Sequence, residues 1–431
     1  MRIFRSACIG NRWIMITLFV IHYSLFISPA RAQYVATVID AVTHERLPFA
    51  SVWVDGATST ITNAVGTFSL HCEPADVLRI TYVGYKAAYV VARQLGEVVA
   101  LQPQERQLQE VVVVPIGPMI NKICKETLRL QQKYKNRESK FFYRQTAFLG
   151  ARCYEFAESF LKGNPAVSLR NLSIYTGRYA GIQSDSLNHY TYFGNFYTFS
   201  QLEMAAYYKM PSKLDDVVPL FRNYNKFYNV SYTVISGDDG ERIFAIRFEP
   251  KPEVLSRYSI LGGTLYVDEQ TLHIRRFEGE GHNFRVLTRI LTETNEIGFS
   301  RYTQSVSLAH FSYVVEMTEE HGYPEVQSVY VDESHDFEGQ TITTRSLLFN
   351  LGDGPKKKGN LLKRIGNWFA DQHSDSKSSS MLEFYSELHK EITRTGYDPD
   401  FWQKNEIVRR TPIEQAVLQL FEENDLFCVM E

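Results

Sequence analysis

Few residues in this chain have the type and spacing that chemistry needs. His335 and Glu338 stand three apart, a spacing that can offer an imidazole and a carboxylate to one Zn2+. A catalytic zinc takes three protein ligands and a water, so a distant second histidine must complete the set. Only His373 and His389 follow, both in a tail with no hydrolase-like surroundings. We therefore read His335 to Glu338 as a polar turn. Ser236-Gly237-Asp238-Asp239-Gly240 bunches carboxylates as a Ca2+ loop does. It lacks the further spaced oxygens and closing glutamate of such a loop, and reads as a hairpin turn. The sequence holds no His-Glu-x-x-His, Gly-x-Ser-x-Gly, P-loop or Gly-x-Gly-x-x-Gly pattern. A Ser-His-Asp triad assembles in space, so its scattered members are no evidence for it. The expectation is no catalytic residue, no metal ligand and no cofactor.

Three other features bear on binding. Between Tyr175 and Tyr228 there are 14 Phe or Tyr residues in 54. Such rings can stack on sugars or grip an apolar partner, but the preferred reading is the core and rim of a sheet. Residues 354–370, GPKKKGNLLKRIGNWFA, carry five basic residues and no acidic one. As a short helix they would place Leu361, Leu362, Ile365, Trp368 and Phe369 on one face, a pattern that fits a lipid interface. Packing of that face on the protein is the preferred alternative. Cys72, Cys124, Cys153 and Cys428 are far apart and form no Cys-x-x-Cys pair, which argues against a metal site. A Cys124–Cys153 disulfide and four buried thiols both remain open.

The compartment is read from the first residues. Arg2, Arg5 and Arg12 precede an apolar run from Trp13 to Ile27, and Ala30-Arg31-Ala32 follows. This is the order of a secretory leader, with cleavage expected before Gln33. Cys8 lies ahead of the apolar run, so no lipid anchor is expected. Removing residues 1–32 leaves 399 of the 431 residues, enough for two or three domains. The four arginines of the leader go with it, leaving 42 of 46 basic residues against 49 acidic ones, a balance of −7. A mildly acidic chain is a poor nucleic-acid binder.

Behind these residues lie the elements that must position them. From Tyr34 to Pro115, runs such as YVATVID, FASVWV, TSTIT, TFSLH, VLRITYVG, KAAYVVA and EVVALQP alternate with turn residues. Seven or so short strands at this spacing predict an antiparallel β-sandwich. Gly56, Gly66 and Gly84 fall where a positive φ is expected. The residues Leu47, Pro48, Ala50, Val52, Val54, Gly56, Thr62, Asn63, Gly66, Phe68, Leu70, Ile80, Tyr82, Gly84 and Tyr85 form a specific pattern. It resembles the carboxypeptidase regulatory-like domain, a transthyretin-like sandwich, with Asn63 where an aspartate is usual. Leu108 to Val113 resembles the tail of this domain in envelope proteins of the Bacteroidetes. The resemblance implies an accessory module that stabilises, positions or contacts partners and does not catalyse.

The remainder predicts a helix after Pro115, with Ile116, Ile120, Ile123 and Tyr134 on one face, and then long alternating strands. Two strands meet around Gly150, and two more around Asp268-Glu269-Gln270. The fold class is thus mainly β with some α: a seven-strand sandwich, then a curved, mostly antiparallel sheet with flanking helices. Parts of this stretch resemble larger Bacteroidetes envelope proteins in which an outer-membrane barrel follows. A 22-stranded barrel needs over about 200 residues in its strands alone, and only 86 follow Arg345.

The expected divisions are a leader (1–32), a sandwich (33–115), an α+β domain (116–352), a basic amphipathic segment with a Ser-rich linker (353–380), and C-terminal helices with a docking tail (381–431). Thr411-Pro412-Ile413-Glu414 spells a capping box with proline at the first helical position. Ile413, Ala416, Val417, Leu420 and Phe421 predict the buried stripe of that helix. The function expected is a non-catalytic exported envelope protein that binds or scaffolds at the periplasmic face of the outer membrane. A protein partner and peripheral membrane contact through 354–370 are expected, and nucleic acid is not. An accessory binder of glycan or peptide ligands, and a hydrolase built on the middle domain, are the alternatives.

Overall fold

The computed structural model describes residues 32–54, 58–104, 116–164, 168–181, 216–217, 224–236, 241–294, 300–320, 322–337, 339–352, 380–381, 392, 401–402, 406–424 and 426–427. Residues 1–31, Gly56, residues 105–115, most of 182–223 and all of 353–379 lie outside them.

Seven strands build the N-terminal sandwich. They are β1 (Ala32–Asp40), β2 (Ser51–Val54), β3 (Thr58–Ile61), β4 (Thr67–Cys72), β5 (Val77–Thr81), β6 (Ala88–Val91) and β7 (Val98–Leu101). One sheet runs β4-β1-β7 and the other β3-β2-β5-β6. Every pairing is antiparallel except β1 with β7, which is parallel, a departure from the all-antiparallel expectation. The inward residues of both sheets, among them Ala36, Val38, Val52, Phe68, Leu70, Leu78, Ile80 and Leu101, form one core.

The motif residues act through local bonds. Thr62 is fully buried; its hydroxyl donates to Leu47 O (2.7 Å) and accepts from Ala50 N (2.8 Å). Asn63 Oδ1 accepts from Val65 N and Thr67 N, the turn that an aspartate would make equally well. Gly66 closes that turn at φ +72°, and a Cβ there would press on Arg46 Cβ and Leu47 N. The Tyr85 hydroxyl donates to Asp40 Oδ2 at 2.7 Å. That bond, with the Thr43 and Val42 amides on the same carboxylate, holds Asp40 below the usual carboxylate range.

The second body is a 12-stranded sheet. Its strands are β8 (Ser139–Leu149), β9 (Arg152–Asn164), β10 (Ser168–Gly181), β11 (Asp216–Val217), β12 (Tyr228–Ser236), β13 (Arg242–Pro250), β14 (Ser259–Asp268), β15 (Ile274–Thr294), β16 (Ser300–Thr318), β17 (Glu325–Phe337), β18 (Gln340–Gly352) and β19 (Ser380–Met381). The order is β12-β13-β14-β15-β16-β17-β18-β8-β9-β10-β19, all antiparallel, with β11 parallel beside β14. The hairpins expected at Gly150 (φ +56°) and at Asp268 to Gln270 are both present. Ser380–Met381 pairs with Ser173 and Ile174, so the stretch read as linker ends in a strand.

Helix α1 (Ile116–Lys133) buries Ile120, Ile123, Cys124 and Leu130. Ile120 shares one core cluster with Ala157 of β9 and with Ile246 of β13, from opposite ends of the sheet order. The cluster runs along the helix-bearing face of the sheet through Val315, Val329, Val331 and Leu348 of the strands between. Glycines on neighbouring strands permit a close backbone approach: a Cβ at Gly279 of β15 would strike the Gly262 carbonyl of β14. Cys124 and Cys153 are buried thiols in two separate clusters and are not bonded to each other. Burial pushes each thiol up to about 12.

The other face of the sheet carries the sandwich and the C-terminal segment. Phe49 and Ile61 of the sandwich pack with Phe142, Phe160, Leu347, Phe349, Trp402 and Val408. Phe49 stacks on Tyr330 at 4.5 Å. Helix α2 (Pro412–Glu423) opens on the expected capping box, with Thr411 accepting from Glu414 N and the Glu414 side chain accepting from Thr411 N.

The stripe of α2 is rotated from the one predicted. Val417, Leu418 and Phe421 are buried, whereas Ile413, Ala416 and Leu420 are exposed. The docked face packs Val417, Leu418 and Phe421 with Phe156 and Phe427, and it also brings Glu414 and Glu422 to Arg144 and Arg178 of the sheet (3.7 and 3.4 Å).

Candidate functional site

Buried charge marks two places on the sandwich-bearing face. The first surrounds Glu158 of β9, fully buried. Arg144 Nε meets one carboxylate oxygen at 2.7 Å; Arg178 Nη2 (2.6 Å) and Arg410 Nη2 (3.1 Å) meet the other. Arg144 and Arg178 come from the flanking strands, in register with Glu158. Burial would raise the Glu158 carboxyl, but Arg410, Arg178 and Arg144 together hold it far below the usual range. Arg144 also donates to Val408 O (2.8 Å), and the Arg178 guanidinium lies 5.1 Å from the rings of both Trp402 and Phe427. This cluster clamps the C-terminal segment to the sheet, and its role is structural.

The second lies where the sandwich meets β15 and β16. Arg276 is buried and donates to Glu278 (2.6 Å) and to the Tyr82 hydroxyl (2.8 Å), and it is ion-paired with Glu316. The Tyr82 ring also receives the Arg276 guanidinium at 4.5 Å. Two carboxylates share one guanidinium here. Glu316 is the deeper one, and burial lifts it to about 7 in spite of Arg276. Burial likewise lifts Tyr82 to about 12. Ser51 Oγ donates to Gln327 Oε1 (2.8 Å), and Arg79 pairs with Glu320, so three further strands are pinned across the seam.

Beside this seam opens a cleft of about 680 Å3 whose walls come from both bodies. Trp53, Tyr82, Tyr85 and Tyr89 supply rings from the sandwich, and Arg79 and Lys86 supply charge. Glu241, Arg275, Glu316 and Glu319 face them from the sheet. Apolar ring faces with a few charged groups are the composition of a site for a polar ligand or a partner's loop. Sequence reasoning missed it because its walls come from β2, β5, β13, β15, β16 and β17. The one visible signal was the Tyr82-Val83-Gly84-Tyr85 motif, which lines it.

The residues singled out by sequence are dispersed. His335 is buried on β17, not in a turn, 3.6 Å from Glu333; the register that pairs it with Ala309 and Ile342 continues the strand past it. Glu338, His373 and His389 lie outside the described residues, as do Gly237 to Gly240. The strands flanking that last stretch pair from Ser236 to Arg242, as a hairpin requires. Of the aromatic-rich region, Tyr179, Tyr224, Phe227 and Tyr228 pack on the main core. Tyr175 lies in β10; the other aromatic residues of the region, and residues 354–370, lie outside the described residues.

No helix among the described residues is long and apolar enough to cross a membrane. No curated protein matches the chain. Among solved structures, OmpT, an outer membrane protein of Vibrio cholerae in its in-vitro folded trimer form, aligns over 49% of this chain and 71% of that one. The identity is 9% and the TM-score 0.12, too low to carry an argument. Residues 36–113 match the CarboxypepD_reg-like domain family. That span begins in β1, runs past β7 and contains the Tyr82 and Tyr85 that line the cleft, so the N-terminal sandwich of this chain is a CarboxypepD_reg-like domain.

Proposed function

We propose that the chain is a non-catalytic binding or scaffolding protein of the cell envelope, at the periplasmic face of the outer membrane. The cleft between the regulatory-like sandwich and the sheet is its contact site. The observation that carries this is the seam itself. Phe49 on Tyr330, Ser51 on Gln327 and Tyr82 on Arg276 fix the sandwich against the sheet. The cleft is therefore preorganised, and a partner gains affinity because less ordering is lost on binding. The leader read from residues 1–32 supports export.

The rings of Trp53, Tyr85 and Tyr89 also favour a second reading, an accessory site for glycan or peptide ligands, since such rings stack on sugar and peptide faces. A photo-crosslinking residue at Tyr89, 67% exposed at the cleft wall, tests both in living cells. A discrete crosslinked envelope protein supports the first reading. Crosslinks to glycan or short peptides support the second. Crosslinks no different from those of a control residue at exposed Val42 overturn the cleft as the contact site.

A further inference from the structure

We infer that Glu280, His282 and His310 form a surface site for one divalent transition-metal ion of the Zn2+ class, with a coordination position left open to water or an outside donor. A carboxylate oxygen of Glu280 and a ring nitrogen of each histidine all lie within 4.8 Å of one another. Around a tetrahedral ion with bonds of about 2.0–2.1 Å, ligand atoms stand about 3.4 Å apart. Closing the set therefore takes shifts of about 1 Å in side chains that are free to turn at the surface. His2Glu is a donor set that borderline metals prefer over Ca2+ or Mg2+.

The backbone is built to hold these groups together. On β15, Glu280 and His282 are two apart and share a face. Their register with β16 runs Glu280 to Ser312, Gly281 to Phe311, then Phe284 to Ala309. Two residues, His282 and Asn283, thus oppose one, His310. This is a β-bulge, the device that re-aims a side chain. Asn283 takes φ +59°, and Ser259 Oγ donates to its carbonyl at 2.8 Å, which pins the bulge to β14. The register before the bulge sets His282 opposite His310, with the two imidazole rings 5.3 Å apart and His282 Nε2 3.8 Å from Glu280.

The cross-strand neighbours of Glu280 and His310 are Ser312 and Ser334, with no lysine or arginine opposite either. The site shares its sheet face with Arg276 and Glu316, because all these positions alternate in phase along β15 and β16.

The test uses the untagged full chain, stripped with chelator and then titrated with Co2+ and Zn2+. The expected result is one equivalent of Co2+ with visible d–d absorption, displaced by Zn2+. Binding should weaken by about tenfold or more in His282→Ala and in His310→Ala, since losing a ligand costs at least as much as losing its orienting partner. Metal should raise the melting temperature of the wild type and not of the variants. If His282→Ala does not fold, His310→Ala decides alone, because that side chain is exposed. Absence of stoichiometric Co2+ or Zn2+ binding, or undiminished binding in His310→Ala, overturns the site.

Discussion

Glu158 is the residue on which the sheet and the C-terminal segment most depend. Three guanidiniums converge on its carboxylate, those of Arg144 and Arg178 buried and that of Arg410 largely so. Removing one partner from a buried ion cluster leaves charge without compensation, at a cost of about 3–5 kcal/mol. Glu158→Gln is expected to lower stability by that amount at pH 7, read from urea unfolding. The sign with pH follows from the depressed carboxyl. Its stabilisation is complete above the unfolded carboxylate value of about 4.3 and is lost as pH falls toward the folded one. The difference between wild type and Glu158→Gln should therefore shrink on acidification below about pH 4. Glu316, lifted to about 7 by burial, contributes in the opposite sense: its ionisation costs stability as pH rises from about 4.5 toward 7.

At the scale of the element, α2 shows how a docking partner overrides an apolar pattern. The helix carries apolar residues on more than one face, and hydrophobic spacing alone did not decide which face is buried. Tertiary neighbours decided it: the buried face meets Phe156 and Phe427, with Glu414 and Glu422 beside Arg144 and Arg178. The expected consequence separates two neighbouring residues. Phe421, fully buried against Phe427 and Phe156, should cost about 3–5 kcal/mol when changed to alanine. Leu420, 47% exposed, should stay within about 0.5 kcal/mol on the same change. Thermal unfolding of the two variants checks the orientation of the helix.

For the whole molecule, two cores meet at one seam. The sandwich core draws only on residues of its own strands and turns, while Phe49 and Ile61 belong to the cluster on the sheet. Residues 33–115 alone should therefore fold, giving a β circular-dichroism spectrum and protected amides. Phe49→Ala should act differently in the two contexts. It should destabilise the full chain by about 3 kcal/mol or more, yet change the isolated sandwich by less than about 1 kcal/mol. Equal effects in both would mean that the ring serves the sandwich itself and not the seam.

The sequence by itself determined what depends on near neighbours along the chain. Turn chemistry placed the turn from Asn63 to Gly66 correctly because its bonds join groups a few residues apart. Period-two alternation marked the long strands, and the capping box located the start of α2 to the residue. What only the tertiary structure decided depends on register between distant strands. The parallel β1–β7 pair, the buried place of His335, the cleft and the Glu280–His282–His310 cluster are all of this kind. Glu280 and His282 can be seen to share a face in the sequence, since a strand alternates. That His310 lies opposite them follows from the register of β15 with β16, in which Glu280 pairs with Ser312 and Gly281 with Phe311. Nothing in the local sequence reports which strand will be the neighbour, or in what register.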